Sequence, residues 1–125
     1  MTAPVWMNSV IGDFGRSAGL GDLALNGRGA AALRFETGAS LRLEYTGEEL
    51  VMAMTFAASD VKRLLALSHP KARFGFPVRT GIMPRTGEAV VAARMKERDV
   101  TLPHVNGVFG TLWRLVGEIG GAAWA

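Results

Sequence analysis

The 125-residue sequence contains no cysteine, and this absence excludes disulfide bonds, iron–sulfur clusters, thiolate zinc sites and a cysteine nucleophile. Histidine is scarce: with only His69 and His104, no metal motif with two histidines exists, and a Ser/His/Asp set could form only through the tertiary structure. No run approaches the roughly 18 apolar residues of a membrane helix, and no basic residue precedes the apolar N-terminal stretch as in a secretory signal. We therefore expect a cytoplasmic protein that is not an enzyme, with no membrane span, no metal and no cofactor.

The basic charge is concentrated in one part of the chain. The whole sequence has 14 Lys and Arg against 11 Asp and Glu, a net charge of +3. Residues 71–98 alone hold seven basic and two acidic residues, a net of +5, so the remainder is close to neutral. Such a segment could form a small nucleic-acid-binding module with Phe74 and Phe76 as stacking platforms. We keep this as the less favoured alternative, because the arginines are spread out and Pro77 and Gly81 interrupt the segment.

The hydrophobic pattern near the N-terminus predicts an amphipathic helix over residues 5–18. Its apolar positions recur at intervals of three and four residues: Met7, Val10, Ile11, Phe14 and Ala18. Gly19 is expected to end this helix, because glycine readily adopts the left-handed conformation that follows a helix.

From residue 30 the hydrophobic period changes to two, which predicts antiparallel strands with turns at Thr37-Gly38 and Thr46-Gly47. In the first two strands, apolar residues alternate with charged ones; the apolar positions are Leu33, Phe35, Leu41, Leu43 and Tyr45. The third strand, 50–57, is apolar on one face and only weakly polar on the other. Its residues Met52 and Met54 are therefore either ordinary core or part of an adaptable surface for a peptide partner.

The second half of the chain predicts a short helix over 60–68 that Pro70 ends, then two strands and a helix. The strand over 73–82 contains Pro77, which cannot donate to a neighbouring strand, so we expect this strand either to lie at a sheet edge or to be irregular. The next strand is 89–96, with Ala89, Val91, Ala93 and Met95 on one face. The last helix begins near Pro103, and its apolar stripe comprises Val105, Val108, Phe109, Leu112, Trp113, Leu115, Val116 and Ile119.

This element order, α-β-β-β-α-β-β-α, predicts an α+β fold: an antiparallel twisted sheet of about five strands with three helices packed on it. The length fits a single domain over 1–125, with residues 119–125 as a frayed tail.

One motif links the first helix to the first hairpin. A Phe-Gly pair ends the helix and is followed by Gly-Leu and a further leucine, at Phe14, Gly15, Gly19, Leu20 and Leu23. This pattern, with the order of the later elements, resembles the class I type III secretion chaperone family of the Tir-chaperone type. The resemblance covers nearly the whole chain in element order.

The resemblance implies a cytoplasmic homodimer that binds the N-terminal region of a secreted effector or other export substrate in extended form, without ATP. The substrate-binding residues expected are Ile11, Phe14, Phe35, Leu43, Met52 and Met54. The dimer contacts expected around the second helix and the adjoining strand are Val61, Leu64, Leu65, Phe74, Phe76 and Val78. Members of this family are usually acidic, so the basic segment 71–98 indicates an acidic partner or a divergent member that serves another export component.

Overall fold

The computed structural model describes residues 2–57 and 78–120, the last three by their backbone alone. The described chain contains α1 (Val5–Ser17), β1 (Ala30–Arg34), β2 (Ser40–Tyr45), β3 (Glu49–Phe56), β4 (Val78–Ile82), β5 (Ala89–Lys96) and α2 (Leu102–Gly120), with a 3-10 turn (Glu97–Asp99) before α2. The α+β class and the five antiparallel strands are therefore confirmed. The third helix expected at 60–68 lies outside the described residues, as do the start of the strand predicted from 73 and the end of the tail. Helix α2 continues to Gly120, and the fraying expected for residues 119–125 stays a prediction.

The five strands form one sheet in the order β1-β2-β3-β5-β4, and every neighbouring pair is antiparallel. Strands β1 and β4 are its edges, so the predicted edge position of the strand that ends at Ile82 is confirmed. The strand that follows β3 in the chain, β4, is not its neighbour in the sheet. The position beside β3 is taken by β5, which lies between β3 and β4.

One face of the sheet carries the hydrophobic core. Helix α2 packs on β3 and β5, and α1 packs against α2 and adds its buried side chains to the same core. The alternation in β2, β3 and β5 places every second side chain on this face, as the period of two predicts. The largest fully buried side chains are Phe14, Phe56, Met7, Ile11, Leu41, Leu43, Leu50, Met52, Met54, Met95 and Leu112. The shared face predicted for the apolar residues of β5 is confirmed, since Ala89, Val91, Ala93 and Met95 are all buried.

The end of α1 shows why the sequence needs glycine at 19. The Gly19 N–H donates to the Arg16 carbonyl at 3.2 Å, and the Leu20 N–H donates to the Gly15 carbonyl at 2.7 Å. Gly19 has φ of 74°, the left-handed conformation of a Schellman-type cap. The predicted end of the helix is confirmed, with Ser17 as its last residue.

Gly15 is required for a second reason, the close approach of the loop that follows the helix. A Cβ atom at Gly15 would lie 2.7 Å from the Gly21 carbonyl oxygen and 2.7 Å from the Leu23 Cβ atom, well inside van der Waals contact. Leu20 and Leu23 are themselves partly buried against the core. The loop can therefore cross α1 only where the helix has no side chain.

The 3-10 turn is held against the β2–β3 hairpin. The Glu97 N–H of this turn donates to the Glu48 carbonyl of the hairpin at 3.0 Å. Within the hairpin, the Tyr45 hydroxyl donates to the Gly47 carbonyl at 3.0 Å. Burial raises the pKa of the Tyr45 phenol, and the negative charge of Glu97 raises it further. A phenol is protonated at neutral pH in any case, and the raised pKa extends the range in which the Tyr45 hydroxyl keeps its hydrogen to more alkaline pH.

Candidate binding surface

Strand β1 exposes backbone hydrogen-bonding groups at one edge of the sheet. The Tyr45 N–H donates to the Gly29 carbonyl at 2.7 Å, and the Phe35 N–H donates to the Ala39 carbonyl at 2.8 Å. Since bonding and non-bonding positions alternate in an antiparallel ladder, the odd-numbered residues of 29–35 bond to β2. The even-numbered residues direct their N–H and C=O groups away from the sheet.

At the first of these outward positions, Ala30, the backbone N–H and C=O groups already form hydrogen bonds with Asn26. The Asn26 N–H donates to the Ala30 carbonyl at 2.8 Å, and the Ala30 N–H donates to Asn26 Oδ1 at 3.1 Å. The outward groups of Ala32 and Arg34 follow, and no strand in the described part of the chain pairs with them. An incoming extended segment could therefore add to the sheet from Ala32 onwards.

A row of four aromatic rings runs from the core to the surface beside this edge. The Phe14 and Phe109 ring centroids are 5.3 Å apart, those of Phe109 and Trp113 5.8 Å, and those of Trp113 and Phe35 5.1 Å. Phe14 is fully buried, whereas Trp113 is 39% exposed. Because Phe35 directly follows β1, the outer end of the row lies next to the free edge. We call Ala32, Arg34, Phe35 and Trp113 the β1-edge surface.

This surface combines the two features that bind an extended peptide. Backbone groups of an edge strand supply hydrogen bonds that are independent of sequence, and an adjoining apolar surface accepts alternate side chains. Tryptophan is well suited to the second task, because it buries a large area at low cost in conformational entropy.

The structure places most of the predicted substrate-binding residues elsewhere. Five of them are at most 1% exposed and belong to the core: Ile11, Phe14, Leu43, Met52 and Met54. They offer no surface to a peptide, because Ile11 and Phe14 are buried on α1 and the other three lie on the sheet face on which α2 packs. The core alternative for Met52 and Met54 is therefore the one that the structure adopts. Phe35 alone is half-buried and lies at the β1-edge surface.

Sequence reasoning missed the role of Trp113 and of the backbone at Ala32 and Arg34. Trp113 was included in the apolar stripe of the last helix, but it lies at the border of that stripe and not on the spacing of Phe109, Leu112 and Val116. A large aromatic residue at such a border is the one signal that could have indicated a surface role.

The opposite edge of the sheet, β4, carries the only predicted dimer contact within the described residues. Val78 is half-buried against the core, and the exposed side chains of Ile82 and Met83 continue this edge. The other predicted contacts, Val61, Leu64, Leu65, Phe74 and Phe76, lie outside the described residues.

Residues 2–57 and 78–120 contain neither a metal-binding group of side chains nor a membrane-spanning helix. No group of three or more His, Asp or Glu residues in 2–57 and 78–120 is arranged to hold a metal ion. Neither of the two described helices combines the length and the apolar character that a bilayer crossing requires.

Comparison with known protein families shows which family the chain belongs to. The sequence model of the family described as "Type III secretory system chaperone SycN" matches residues 6–120, almost the entire chain. The chain belongs to this family. The resemblance seen around Phe14 and Gly19 is thus confirmed, and the chain is a type III secretion chaperone. A search of the curated proteins found no match to its sequence.

Solved structures show the same fold as this SycN-family chain. A chain of the ExsC–ExsE complex is 21% identical, with a TM-score of 0.75 over 94% of this chain and 93% of that one. A chain of the Yersinia pestis chaperone SycH in complex with a fragment of YscM2 is 16% identical, with a TM-score of 0.63 over 88% and 97%. A chain of the ExoT–SpcS complex from Pseudomonas aeruginosa is 14% identical, with a TM-score of 0.65 over 94% and 99%.

The family motif has a structural explanation in this SycN-family chain. Phe14 belongs to the core and begins the aromatic row, Gly15 admits the crossing loop, and Gly19 ends α1. Leu20 and Leu23 then fasten the loop to the core. The motif builds the junction between α1 and the sheet, and its side chains are not themselves the binding surface.

Proposed function

We propose that this chaperone acts in the cytoplasm as a homodimer and binds the N-terminal region of an export substrate in extended form at the β1-edge surface. The observation that carries this proposal is the position of Phe35 and Trp113 beside the outward backbone groups of Ala32 and Arg34. Family membership supports it, as do the SycH structure, which is a complex with a fragment of YscM2, and the ExsC–ExsE and ExoT–SpcS complexes.

Binding of this kind requires neither catalysis nor ATP. A segment that adds to β1 satisfies its own backbone groups and those of the edge, while its apolar side chains leave water against Trp113. The segment is then kept extended and cannot aggregate through the same residues. Release needs only a competing interaction at the export machinery.

The binding test is co-expression with the products of neighbouring secretion genes, followed by co-purification and titration of the captured substrate. We expect Trp113→Ala to weaken substrate affinity by about 30-fold, since an interface tryptophan typically contributes about 2 kcal/mol or more. Trp6→Ala is the matched control, because Trp6 is 46% exposed on α1 but lies outside the β1-edge surface. Equal losses in the two variants would contradict the proposed site.

A second variant tests the backbone part of the proposal. Ala32→Pro removes an outward N–H while the ladder bonds from β1 to β2 remain, and proline is tolerated on edge strands. We expect weaker substrate binding with a cooperative thermal transition retained. Undiminished binding by a folded Ala32→Pro variant would exclude strand addition at this edge.

The dimer is tested separately by light scattering. At micromolar concentration we expect twice the chain mass of 13.3 kDa, with β4 and its apolar residues Val78 and Ile82 at the interface. Val78→Asp places a charge at this edge and should shift the protein towards the monomer mass, because an unpaired charge is costly to bury. A wild-type protein that is monomeric throughout would contradict the proposed homodimer.

A further inference from the structure

The face of the sheet opposite the core carries a groove with a volume of about 560 Å³. It lies over β3, β5 and β4 and extends to the 3-10 turn and the start of α2. Among the described residues it is lined by Glu49, Val51, Arg79, Ala92, Arg94, Met95, Lys96, Arg98, Asp99 and His104. We call it the basic groove.

The strand register explains the shape and chemistry of the basic groove. Val51 pairs with Arg94, and Ala92 pairs with Arg79, so small apolar side chains alternate with arginines across the strands. Small residues make a shallow floor, while long cationic side chains stand beside it.

Four of the seven basic residues in the segment 71–98 line the groove. Five basic residues of that segment lie in the described chain, and four of them line the groove: Arg79, Arg94, Lys96 and Arg98. All four are exposed. Arg94 Nη1 lies 3.4 Å from Glu49 Oε1, an exposed pair of the weak kind that a competing carboxylate can displace.

We propose that the basic groove binds an acidic segment of a protein partner. Arginine presents a fork of N–H donors that matches a carboxylate, and two arginines beside an apolar floor can hold Asp or Glu side chains of one extended segment. The strand twist and the small floor residues leave room for the backbone of that segment above Val51 and Ala92.

A peptide fits the groove better than a nucleic acid does. Glu49 and Asp99 lie among the cations and would repel phosphates that are fixed in a backbone, whereas carboxylates on flexible Asp and Glu side chains can turn towards the arginines and away from these two residues. The described lining residues include no Phe, Tyr or Trp, so the groove lacks a row of large rings on which successive bases could stack, and His104 is the one ring in that lining.

This surface is separate from the β1-edge surface. It lies on the outer face at the β4 side of the sheet, whereas Phe35 and Trp113 lie on the core face side at the opposite edge. The inference therefore does not depend on the proposed substrate site, and the two can be tested independently.

The test uses the full chain and a fluorescein-labelled deca-glutamate peptide as the probe, with fluorescence anisotropy as the readout. At about 50 mM NaCl we expect saturable binding that weakens as salt is raised, because exposed charges are screened. The double variant Arg79→Ala with Arg98→Ala should weaken binding by about tenfold or more.

The matched control is Arg85→Ala with Arg114→Ala, which removes the same charge from the turn before β5 and from α2, at two exposed positions that do not line the groove. We expect this variant to bind the peptide within about twofold of wild type, since distant exposed charges are screened. Trp113→Ala should likewise leave deca-glutamate binding unchanged, which separates this result from any failure of the substrate site.

Three outcomes would overturn the proposal. The first is no binding of deca-glutamate by the wild-type chain at low salt. The second is equal weakening by the two double variants, which would mean that net charge and not the groove attracts the peptide. The third is a ten-nucleotide single-stranded DNA that binds more tightly than deca-glutamate and depends on Arg79 and Arg98, which would assign the groove to nucleic acid.

Discussion

Replacing Phe14 by alanine is expected to lower the free energy of unfolding by about 3–5 kcal/mol. The side chain is fully buried, and its ring packs edge-on against Phe109 with the centroids 5.3 Å apart. Removing it deletes the contact that joins α1 to α2 and leaves a cavity that the neighbouring helices cannot easily close. The loss is a large fraction of the 5–15 kcal/mol that typically stabilises a domain, so urea unfolding should show a much lower midpoint.

Trp6→Ala on the same helix is the control, because it deletes a larger ring from a position that is 46% exposed. We expect it to cost about 1 kcal/mol or less. Both variants must be measured at one protein concentration, since dimerisation makes apparent stability depend on concentration. Similar losses at Phe14 and Trp6 would show that α1 does not pack against α2 as described.

Gly15→Ala is expected to destabilise the protein by about 1–3 kcal/mol, although alanine is the better helix former. The added Cβ would meet the Gly21 carbonyl oxygen and the Leu23 Cβ atom, each at 2.7 Å. One of these contacts is with backbone, so the crossing loop would have to move away from α1. Thermal unfolding followed by circular dichroism measures the effect.

Gly12→Ala, three residues earlier on the same helix, should have the opposite sign. The atoms nearest to its added Cβ belong to the flexible Arg16 side chain, at 3.5 and 3.6 Å, which is ordinary van der Waals contact. The gain in helix propensity, up to about 1 kcal/mol, is then not offset. If both variants were stabilising, the close approach of the loop to Gly15 would be disproved.

The fold could be predicted from the sequence where a local pattern determines the element. Helix α1, its end at Gly19, strands β1 to β3 and the buried face of β5 each follow from periodicity or from the conformational freedom of glycine. These features depend on residues within about a dozen positions of one another. The edge position of β4 was one of the two outcomes that Pro77 indicated, because a proline within the predicted strand 73–82 cannot donate to a neighbouring strand.

The binding surface was much less predictable. Periodicity identified Leu43, Met52 and Met54 as one apolar face, but the same pattern is compatible with a face that a helix covers and with one that a peptide covers. Since α2 packs on that face and α1 adds buried side chains to the same core, its residues became core, and Phe35 alone remained near a surface. Trp113 was overlooked because an aromatic residue beside a helix stripe usually packs inward.

By itself, the sequence determined the order and type of the described elements, the absence of cysteine chemistry, the family motif and the concentration of basic charge in one segment. Only the tertiary structure decided that β5 lies between β3 and β4, that Ala32 and Arg34 stand at a free edge beside Trp113, and that Arg79 and Arg98 share a groove with Val51. The physical reason is that burial and proximity are relations between elements far apart in the chain. A local pattern can show which residues share a face, but it cannot show what lies against that face.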